Sequence, residues 1–263
     1  MTTIEKPRWI GIIPAAGEAR RLALGAYPKE MLPILFSPDG PDRIIPMLAI
    51  ERSAALLIQA GVDLIVVVMN DRKLELLRVL GDGAAYGRPI VYVQQPRADG
   101  LGDAVRRAAV PFPDCHALLS LPDSLFRPTD AVQRLKRRLQ QGGADVALAV
   151  FPTGLPETLA PVLFEEGRAT AVLEKPQVPP ADNTWGLAAW TPRFTADLPD
   201  LLRDADQPSP SITTAFAEAI RRGYHVAVED FPEGRYYDLG TPAGISDAFR
   251  HGGAPLWVDD PEG

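Results

Sequence analysis

The stretch that decides the fold runs from Gly11 to Pro33 and reads GIIPAAGEARRLALGAYPKEMLP. The apolar run from Trp9 to Ile13 predicts a buried strand, and the loop after it carries the cations Arg20, Arg21 and Lys29 among small residues. Small residues leave room for a ligand beside the backbone, and three cations on one loop repel one another unless an anion lies among them. The pattern is compatible with a phosphate site, but taken alone a loop of this composition is more often a solvated surface loop, and both alternatives stay open at this point.

Downstream of this stretch, apolar strand-like runs alternate with helical patterns. Helices are predicted over residues 46–60, 71–80, 101–110 and 129–141, and strands over 62–69, 90–95, 115–121 and 145–151. This alternation predicts an α/β fold with a Rossmann-like, mainly parallel sheet flanked by helices. Ligands bind beyond the carboxyl ends of such strands, so the loops after the strands that end near Ile13, Gln95 and Leu121 are the first candidate sites.

Beyond Phe151 the pattern changes, because proline becomes dense and the predicted elements are shorter. A hairpin is predicted within residues 160–175, followed by strands over 185–190, 225–229 and 235–238 and helices over 192–203, 211–222 and 241–250. We expect this half to complete the same domain as a smaller β/α extension that covers one side of the cleft. Residues 252–263 are expected to form a tail.

The composition is that of an ordinary globular protein, with 46% hydrophobic and 23% charged residues. The net charge of -7 argues against a nucleic-acid partner, which needs a basic surface. The longest purely apolar run, Leu64 to Met69, is far shorter than a membrane span, so no membrane partner is expected. The single cysteine, Cys115, excludes an internal disulfide and suits a reducing compartment, which predicts a cytoplasmic protein.

Two acidic residues end predicted strands in distant parts of the sequence, Asp123 and Asp238. Two carboxylates that meet at one edge of a sheet could hold Mg²⁺ together with substrate phosphates, although an aspartate after a strand also serves as a turn or cap residue. The loop at Gly17 matches neither the phosphate loop of kinases nor the glycine pattern of dehydrogenases. Those two classes of enzyme therefore lose support.

Together these segments resemble a known family over nearly the whole chain. IPAAGEARRLALGAYPKEMLPI resembles the N-terminal signature of the sugar-1-phosphate nucleotidyltransferases, the thymidylyl- and uridylyltransferases also called nucleotide-sugar pyrophosphorylases. Six later segments follow in the order of that family: GDGAAYG from Gly81, YVQQPRADGLGDA from Tyr92, LSLPDSLF from Leu119, LEKP from Leu173, WGLAAW from Trp185 and YYDLGTPAGI from Tyr236. The segments PKEMLP and LPDSL are most similar to the corresponding segments of the bacterial glucose-1-phosphate uridylyltransferases.

The resemblance implies a role for each matching residue. Arg21 would hold the β- and γ-phosphates of a nucleoside triphosphate, Lys29 would sit on the transferring phosphate, and Asp123 would act in catalysis and, with Asp238, bind Mg²⁺. The implied nucleotide-binding residues are Ala15, Ala16, Gly17, Gln95 and Gly100. The implied sugar-phosphate-binding residues are Glu174, Lys175 and Gly186.

The activity implied by the resemblance joins UTP or dTTP to a sugar 1-phosphate and releases pyrophosphate through Mg²⁺-assisted in-line attack. The implied organisation is a single domain over residues 1–251, with a nucleotide-binding part to about residue 151 and an acceptor-binding part over 152–251. Family members are often dimers or tetramers, so a homo-oligomer is one implied state. The sequence leaves the pairing surface open.

This sequence departs from the pattern of the family in two places. In the opening loop Ala19 replaces the usual second glycine, and Arg20, which replaces a threonine, could contact phosphate or point to solvent. On the acceptor side, Leu159 to Pro161 replaces a tyrosine-glycine-valine segment, and PSPSITTAF supplies no acid. These departures leave two alternatives open: an acceptor that is a different phosphorylated alcohol, and a non-catalytic nucleotide-sugar-binding paralogue. A glycosyltransferase is a third, but its acidic pair would be Asp204 and Asp206 in a predicted helix, a poor location.

Overall fold

The computed structural model describes residues 8–17, 27–38, 44–203 and 210–251. Its strands, in chain order, are β1 (Trp9–Pro14), β2 (Pro33–Pro38), β3 (Ile44–Leu48), β4 (Leu64–Met69), β5 (Ile90–Gln94), β6 (His116–Ser120), β7 (Ser124–Arg127), β8 (Val146–Pro152), β9 (Val162–Glu165), β10 (Arg168–Val172), β11 (Asn183–Trp190), β12 (Val226–Asp230) and β13 (Arg235–Asp238). The α-helices are α1 (Ala49–Gln59), α2 (Glu75–Leu80), α3 (Gly100–Ala109), α4 (Ala131–Gln141), α5 (Pro192–Leu201), α6 (Ile212–Arg221) and α7 (Pro242–His251).

Within the described residues, the centre of the fold is a nine-stranded sheet in the order β5-β4-β1-β6-β11-β8-β12-β10-β9. Strands β5, β4, β1 and β6 are mutually parallel, and β8 and β12 run in the same direction. Strand β11 runs antiparallel between β6 and β8, and β10 runs antiparallel to β12 and β9. The prediction of a mainly parallel sheet is confirmed.

The sheet is covered on both faces because the side chains of its strands alternate between two hydrophobic cores. In β1, Ile10 and Ile12 enter the core formed with α3, α5 and α6, whereas Trp9 and Ile13 enter the core formed with α1, α2 and α4. All residues of β4 are buried, as expected for a strand with helices on both faces. This packing holds the carboxyl ends of β1, β4, β5 and β6 beside one another.

Two predicted helices begin later in the chain than their apolar spacing indicates. The helix predicted from Pro46 begins at Ala49, because Pro46 lies in β3, which pairs with β2 in a hairpin that the sequence analysis missed. Proline lacks an N–H donor, so it is confined to positions such as the strands of this two-stranded hairpin. The helix predicted from Asp71 starts as a 3-10 turn, Asp71–Lys73, capped by the side chain of Asn70.

A second two-stranded sheet, called the ribbon below, pairs parts of the chain that are far apart in sequence. Strand β7, also missed by the sequence analysis, pairs antiparallel with β13, and Asp238 lies opposite Ser124. The strand that ends at Asp238 was predicted correctly, but it belongs to this ribbon and not to the central sheet. The acidic residues therefore meet beside the main sheet, not along its edge.

The second half of the chain is interleaved with the first, because β11 inserts between β6 and β8. The division into nucleotide and acceptor parts stays a prediction, and residues 252–263 lie outside the described residues. Among the described helices, none has the length and apolar character needed to cross a membrane.

Candidate active site

A cavity of about 290 Å³ opens at the carboxyl ends of the parallel strands. It is bordered by the three loops predicted to carry a site, those that follow β1, β5 and β6, together with the first turn of α3. The lining residues are Pro14, Ala16, Gly17, Lys29, Glu30, Gln95, Ala98, Gly100, Leu101, Ala104, Leu121 and Asp123. The first turn of α3 thus forms one border of the cavity.

The loop after β1 is held closely at its start. The backbone N–H of Ala15 donates to the carbonyl of Val68 at 2.7 Å, and the side-chain amide of Asn70 donates to the carbonyl of Ala16 at 2.9 Å. The next residue, Gly17, lines the cavity, and a Cβ placed there would have no atom within 4 Å. The chain therefore keeps open space beside a backbone that is held by hydrogen bonds.

Lys29 contributes a cation to the same cavity. It begins the 3-10 turn Lys29–Met31, and its Nζ forms an ion pair with Asp123. Burial alone would lower the pKa of Lys29, but the carboxylates of Asp123, Glu30 and Asp238 raise that pKa above its ordinary value. The side chain is therefore a permanent cation at neutral pH.

A buried ion pair holds the turn that carries Lys29. Glu30, only 1% exposed, accepts two hydrogen bonds of 2.8 Å from Lys73, which is 6% exposed. Burial raises the pKa of Glu30 and lowers that of Lys73, while each charge opposes the shift of the other. The pair connects the turn that carries Lys29 with the turn after β4. Sequence reasoning missed it, because nothing in the separate segments PKEML and NDRKL indicates that they touch.

The β7 and β13 ribbon brings Asp123 and Asp238 to one place. The N–H of Leu239 donates to the Asp123 carbonyl at 2.7 Å, and the N–H of Gly240 donates to Asp238 Oδ1 at 2.7 Å. A Cβ placed on Gly240 would lie 2.7 Å from Asp238 Oδ1, 3.1 Å from Asp123 Oδ2 and 3.4 Å from Lys29 Nζ. Two carboxylates and one ammonium therefore converge on a single point.

These carboxylates fit a hard divalent cation. Mg²⁺ takes one or two protein carboxylates and completes its shell with water and phosphate oxygens. Within the described residues, no group of three or more His, Cys, Asp or Glu side chains could form an all-protein metal site. A pair of carboxylates such as Asp123 and Asp238 is a donor set that Mg²⁺ can use together with phosphate oxygens.

Gly186 serves the ribbon and does not line the cavity. A Cβ on Gly186, in β11, would lie 2.8 Å from the ring of Tyr236 and 3.1 Å from Phe151. The hydroxyl of Tyr236 lies 2.7 Å from Ser124 Oγ, and burial raises the pKa of Tyr236 well above its ordinary range. The glycine thus makes room for the ring that anchors the ribbon next to Asp123 and Asp238.

Gln95 and Gly100, both predicted to bind a nucleotide, lie together on the cavity wall. Gln95 is 3% exposed, and its Nε2 donates to the Gly100 carbonyl at 3.1 Å and to Asp103 Oδ2 at 2.9 Å. Gly100 has a φ of +90°, a backbone conformation that strongly favours glycine, and it begins α3. Sequence reasoning named these two residues but not Asp103, which sits one helical turn along α3.

The predicted acceptor residues Glu174 and Lys175 lie outside the cavity lining. They form an ion pair of 3.3 Å, and 56% of the Lys175 side chain is exposed. Lys175 has a φ of +45°, and its N–H donates to Leu159 at 2.9 Å. A non-glycine residue in this left-handed region stores strain of the kind found at functional sites.

The described part of the segment PSPSITTAF, residues 210–216, packs within the fold. Ser211 Oγ caps α6 by accepting from the N–H of Thr213 at 3.3 Å, and Thr213 Oγ1 accepts from Trp185 Nε1 at 3.2 Å. Phe216 is fully buried in the core. The side chains of Ser211 and Thr213 therefore act within the fold. Arg20, Arg21, Ala19 and the pair Asp204 and Asp206 lie outside the described residues.

The model of the family described as nucleotidyl transferase matches residues 10–252. The chain belongs to this family. The prediction of a sugar-1-phosphate nucleotidyltransferase relative is thus confirmed at the level of the family, and the chain is 31% identical over 180 residues to a glucose-1-phosphate thymidylyltransferase of Neisseria meningitidis. That match covers 65% of this chain and 57% of the length of the relative.

Solved structures of nucleotidyltransferases resemble the fold of this chain. A Bacillus anthracis protein described as a glucose-1-phosphate thymidylyltransferase, in complex with sucrose, superposes with a TM-score of 0.80 at 18% identity, covering 95% of this chain and 96% of that one. A UDP-glucose pyrophosphorylase complexed with UDP-glucose gives a TM-score of 0.72 at 21% identity, covering 92% and 98%. These similarities show the Rossmann-like nucleotidyltransferase fold.

Proposed function

We propose that this chain is a nucleotidyltransferase that joins UTP or dTTP to a sugar 1-phosphate, giving a nucleotide sugar and pyrophosphate. The convergence of Lys29, Asp123 and Asp238 on one point beside the cavity carries the proposal. The names of the related proteins agree with this activity, but the chain spans only 57% of the length of its Neisseria relative.

The nucleotide would occupy the cavity. The base would lie toward Gln95 and Gly100, and the phosphates would follow the loop formed by Ala15, Ala16 and Gly17. Lys29 would contact the transferring phosphate, since its ammonium lies at the convergence point. Arg21, whose role rests on the family resemblance, would hold the β- and γ-phosphates. The cluster of positive groups would bring two polyanions together, which is the main obstacle to the reaction.

The reaction requires no nucleophilic side chain and no general base. A phosphate oxygen of the acceptor attacks the α-phosphorus in line, and a new P–O bond forms as the bond to the β-phosphate bridging oxygen breaks. Pyrophosphate leaves with that electron pair. No proton has to move, because a sugar 1-phosphate is already anionic near neutral pH. Positioning and charge neutralisation supply the catalysis.

Asp123 and Asp238 would hold Mg²⁺. When bound, the ion would supply positive charge to the phosphates of both substrates. The ribbon of β7 and β13 keeps the two carboxylates together. Before the ion binds, Lys29 neutralises the charge of Asp123. The protein would thus present an organised pair of acids to the incoming metal and nucleotide.

The acceptor would lie toward residues 152–251, with its phosphate at Lys175 and Glu174 beside it. Gly186 would act indirectly, by seating Tyr236 under the ribbon. A second candidate replaces the sugar with another phosphorylated alcohol. It is favoured by the use of Ser211 and Thr213 within the fold, since the oxygens of both hydroxyls already accept hydrogen bonds from the protein.

A pyrophosphate-release screen tests both candidates. UTP, dTTP, CTP, ATP and GTP are each combined with Mg²⁺ and a panel of sugar 1-phosphates and phosphorylated alcohols. Release with a sugar 1-phosphate and UTP or dTTP is the expected result. Release with phosphorylated alcohols alone would favour the second candidate. Silence across the panel, with binding of a nucleotide sugar detected by calorimetry, would overturn both in favour of a non-catalytic paralogue.

A further inference from the structure

The side-chain amide of Gln95 is held in one orientation by two groups that can only accept hydrogen bonds. Its Nε2 donates to the Gly100 carbonyl at 3.1 Å and to the Asp103 carboxylate at 2.9 Å. Neither a carbonyl nor a carboxylate has a hydrogen to give, so the NH₂ group and not Oε1 must face them. Both amide hydrogens are therefore used inside the protein. Since Gln95 lines the cavity, Oε1 is the hydrogen-bonding atom of this side chain left for a ligand.

Asp103 is itself fixed on the rigid helix α3. Arg106 donates to its Oδ1 at 2.6 Å, and Arg107 donates to its Oδ2 at 2.5 Å. Burial would raise the pKa of Asp103, but the hydrogen bonds from Arg107, Gln95 and Arg106 outweigh it and hold the pKa below its ordinary value. The carboxylate therefore stays ionised, and an acceptor, throughout the neutral range. It does not belong to the cavity lining.

We propose that Asp103 is a positioning residue that sets base selection. By holding the Gln95 amide hydrogens away from the cavity, it presents Oε1 as an acceptor to the base. Uracil and thymine carry an N3–H donor that Oε1 can accept, whereas N3 of cytosine is itself an acceptor and would face Oε1 with no hydrogen between them. The site thus selects bases with a ring N–H donor. This inference rests on the proposed function only for the ligand being a nucleoside triphosphate.

Equilibrium binding measured by calorimetry tests the inference without any turnover. The wild-type protein is expected to bind UTP about 10 to 100 times more tightly than CTP, because the wrong base leaves buried polar groups unpaired. In Asp103→Asn the asparagine can turn its own NH₂ toward Gln95 Oε1 and allow the amide to rotate. The preference for UTP over CTP should then fall by about fivefold or more.

Two control variants accompany this measurement. Asp103→Glu keeps an ionised acceptor and should retain the wild-type preference. Asp99→Asn removes the same charge just before α3, at a residue whose side chain makes no capping hydrogen bond, and should also retain it. An unchanged preference in Asp103→Asn, or a loss of affinity by the same factor for both nucleotides, would overturn the inference, since the residue would then be only structural.

A pair of modified nucleotides tests the same point in the wild-type protein, so the result does not depend on a variant that folds. The triphosphate of 3-methyluridine lacks the N3–H donor, whereas that of 5-methyluridine carries the same added methyl group and keeps the donor. We expect the 3-methyl compound to bind about tenfold more weakly or worse. Equal binding of the two would refute the role of Oε1, even if pyrophosphate release with UTP had established the proposed function.

Discussion

The backbone N–H of Leu239 donates to the carbonyl oxygen of Asp123 at 2.7 Å, and this bond joins the end of β13 to the loop after β6. It lies next to the point at which the carboxylates of Asp123 and Asp238 meet the ammonium of Lys29. Two segments far apart in the sequence are thus tied together by the backbone before any ligand arrives. The acids would need no large rearrangement to receive a metal and a triphosphate.

Replacing either acid should stop turnover without unfolding the protein. We expect Asp123→Asn and Asp238→Asn each to lower kcat by about 100-fold or more, because the amide no longer supplies the charge that a metal and phosphates require. Pyrophosphate release measures the effect, and circular dichroism checks the fold. The matched control is Asp114→Asn, an exposed acid before the amino end of β6. Wild-type turnover in either site variant would refute the assignment.

A methyl group on Gly17 should obstruct the ligand but not the fold. A Cβ at this position meets no atom within 4 Å and would project where the protein leaves space beside the cavity. We expect Gly17→Ala to weaken UTP binding by about tenfold, with the free energy of unfolding changed by less than about 1 kcal/mol. Gly154→Ala, which is equally uncrowded and exposed, is the control. Equal UTP affinities in both variants would show that the nucleotide does not pass Gly17.

Breaking the buried pair of Glu30 and Lys73 should be costly to stability. Removing one partner leaves an uncompensated buried charge, so Lys73→Met is expected to lower the free energy of unfolding by about 3 to 5 kcal/mol in urea titrations. The double variant Glu30→Leu with Lys73→Met removes both charges and should recover much of that loss. A double variant no more stable than the single one would mean that the charge itself is not the cause.

Lys175 offers a test that separates strain from function. Glycine adopts positive φ without strain, so Lys175→Gly should change the free energy of unfolding by no more than about 1 kcal/mol in either direction. If the amine holds the acceptor phosphate, KM for the acceptor should rise about tenfold while KM for the nucleotide stays constant. Glu166→Gly, at an exposed residue with a φ of +48°, is the control and should leave both constants unchanged. An unaltered acceptor KM in Lys175→Gly would exclude the residue from the acceptor site.

The two ion pairs of Glu218 with Arg221 and Arg222 should contribute to the acid sensitivity of the fold. Hydrogen bonds of 2.6 Å from Arg221 and Arg222 lower the pKa of Glu218 to about 2. Because this pKa lies below that of the unfolded chain, the stabilisation is fully present above about pH 4.5 and is lost as the pH falls toward 2. We expect Glu218→Gln to flatten the decline of stability over that range, measured by urea unfolding at several pH values. Glu75→Gln, at an exposed acid on α2, should leave the slope as it is.

Much of the fold follows from local pattern. The buried strands β1, β4, β6 and β8 are largely apolar runs, and glycines or capping residues mark the ends of most helices. The order of these elements predicts a mainly parallel sheet. The hairpin of β2 and β3 escaped this reasoning, because apolar spacing near Pro46 fits a helix as well as a strand. Strand β7 was missed as well, and its partner β13 lies far away in the sequence, so no local pattern reveals the pairing. The cytoplasmic location and the oligomeric state stay predictions.

The sequence by itself determined the family, the sheet and the loops that meet at its carboxyl edge, because strand patterns and ordered motifs are local properties of the chain. It also named Lys29, Asp123 and Asp238, each from its own segment. Only the tertiary structure decided what stands beside them. The ribbon that joins the two acids, the buried Lys73 under Glu30 and the Asp103 carboxylate that orients Gln95 all depend on side chains brought together by packing, and no spacing within one segment records such contacts.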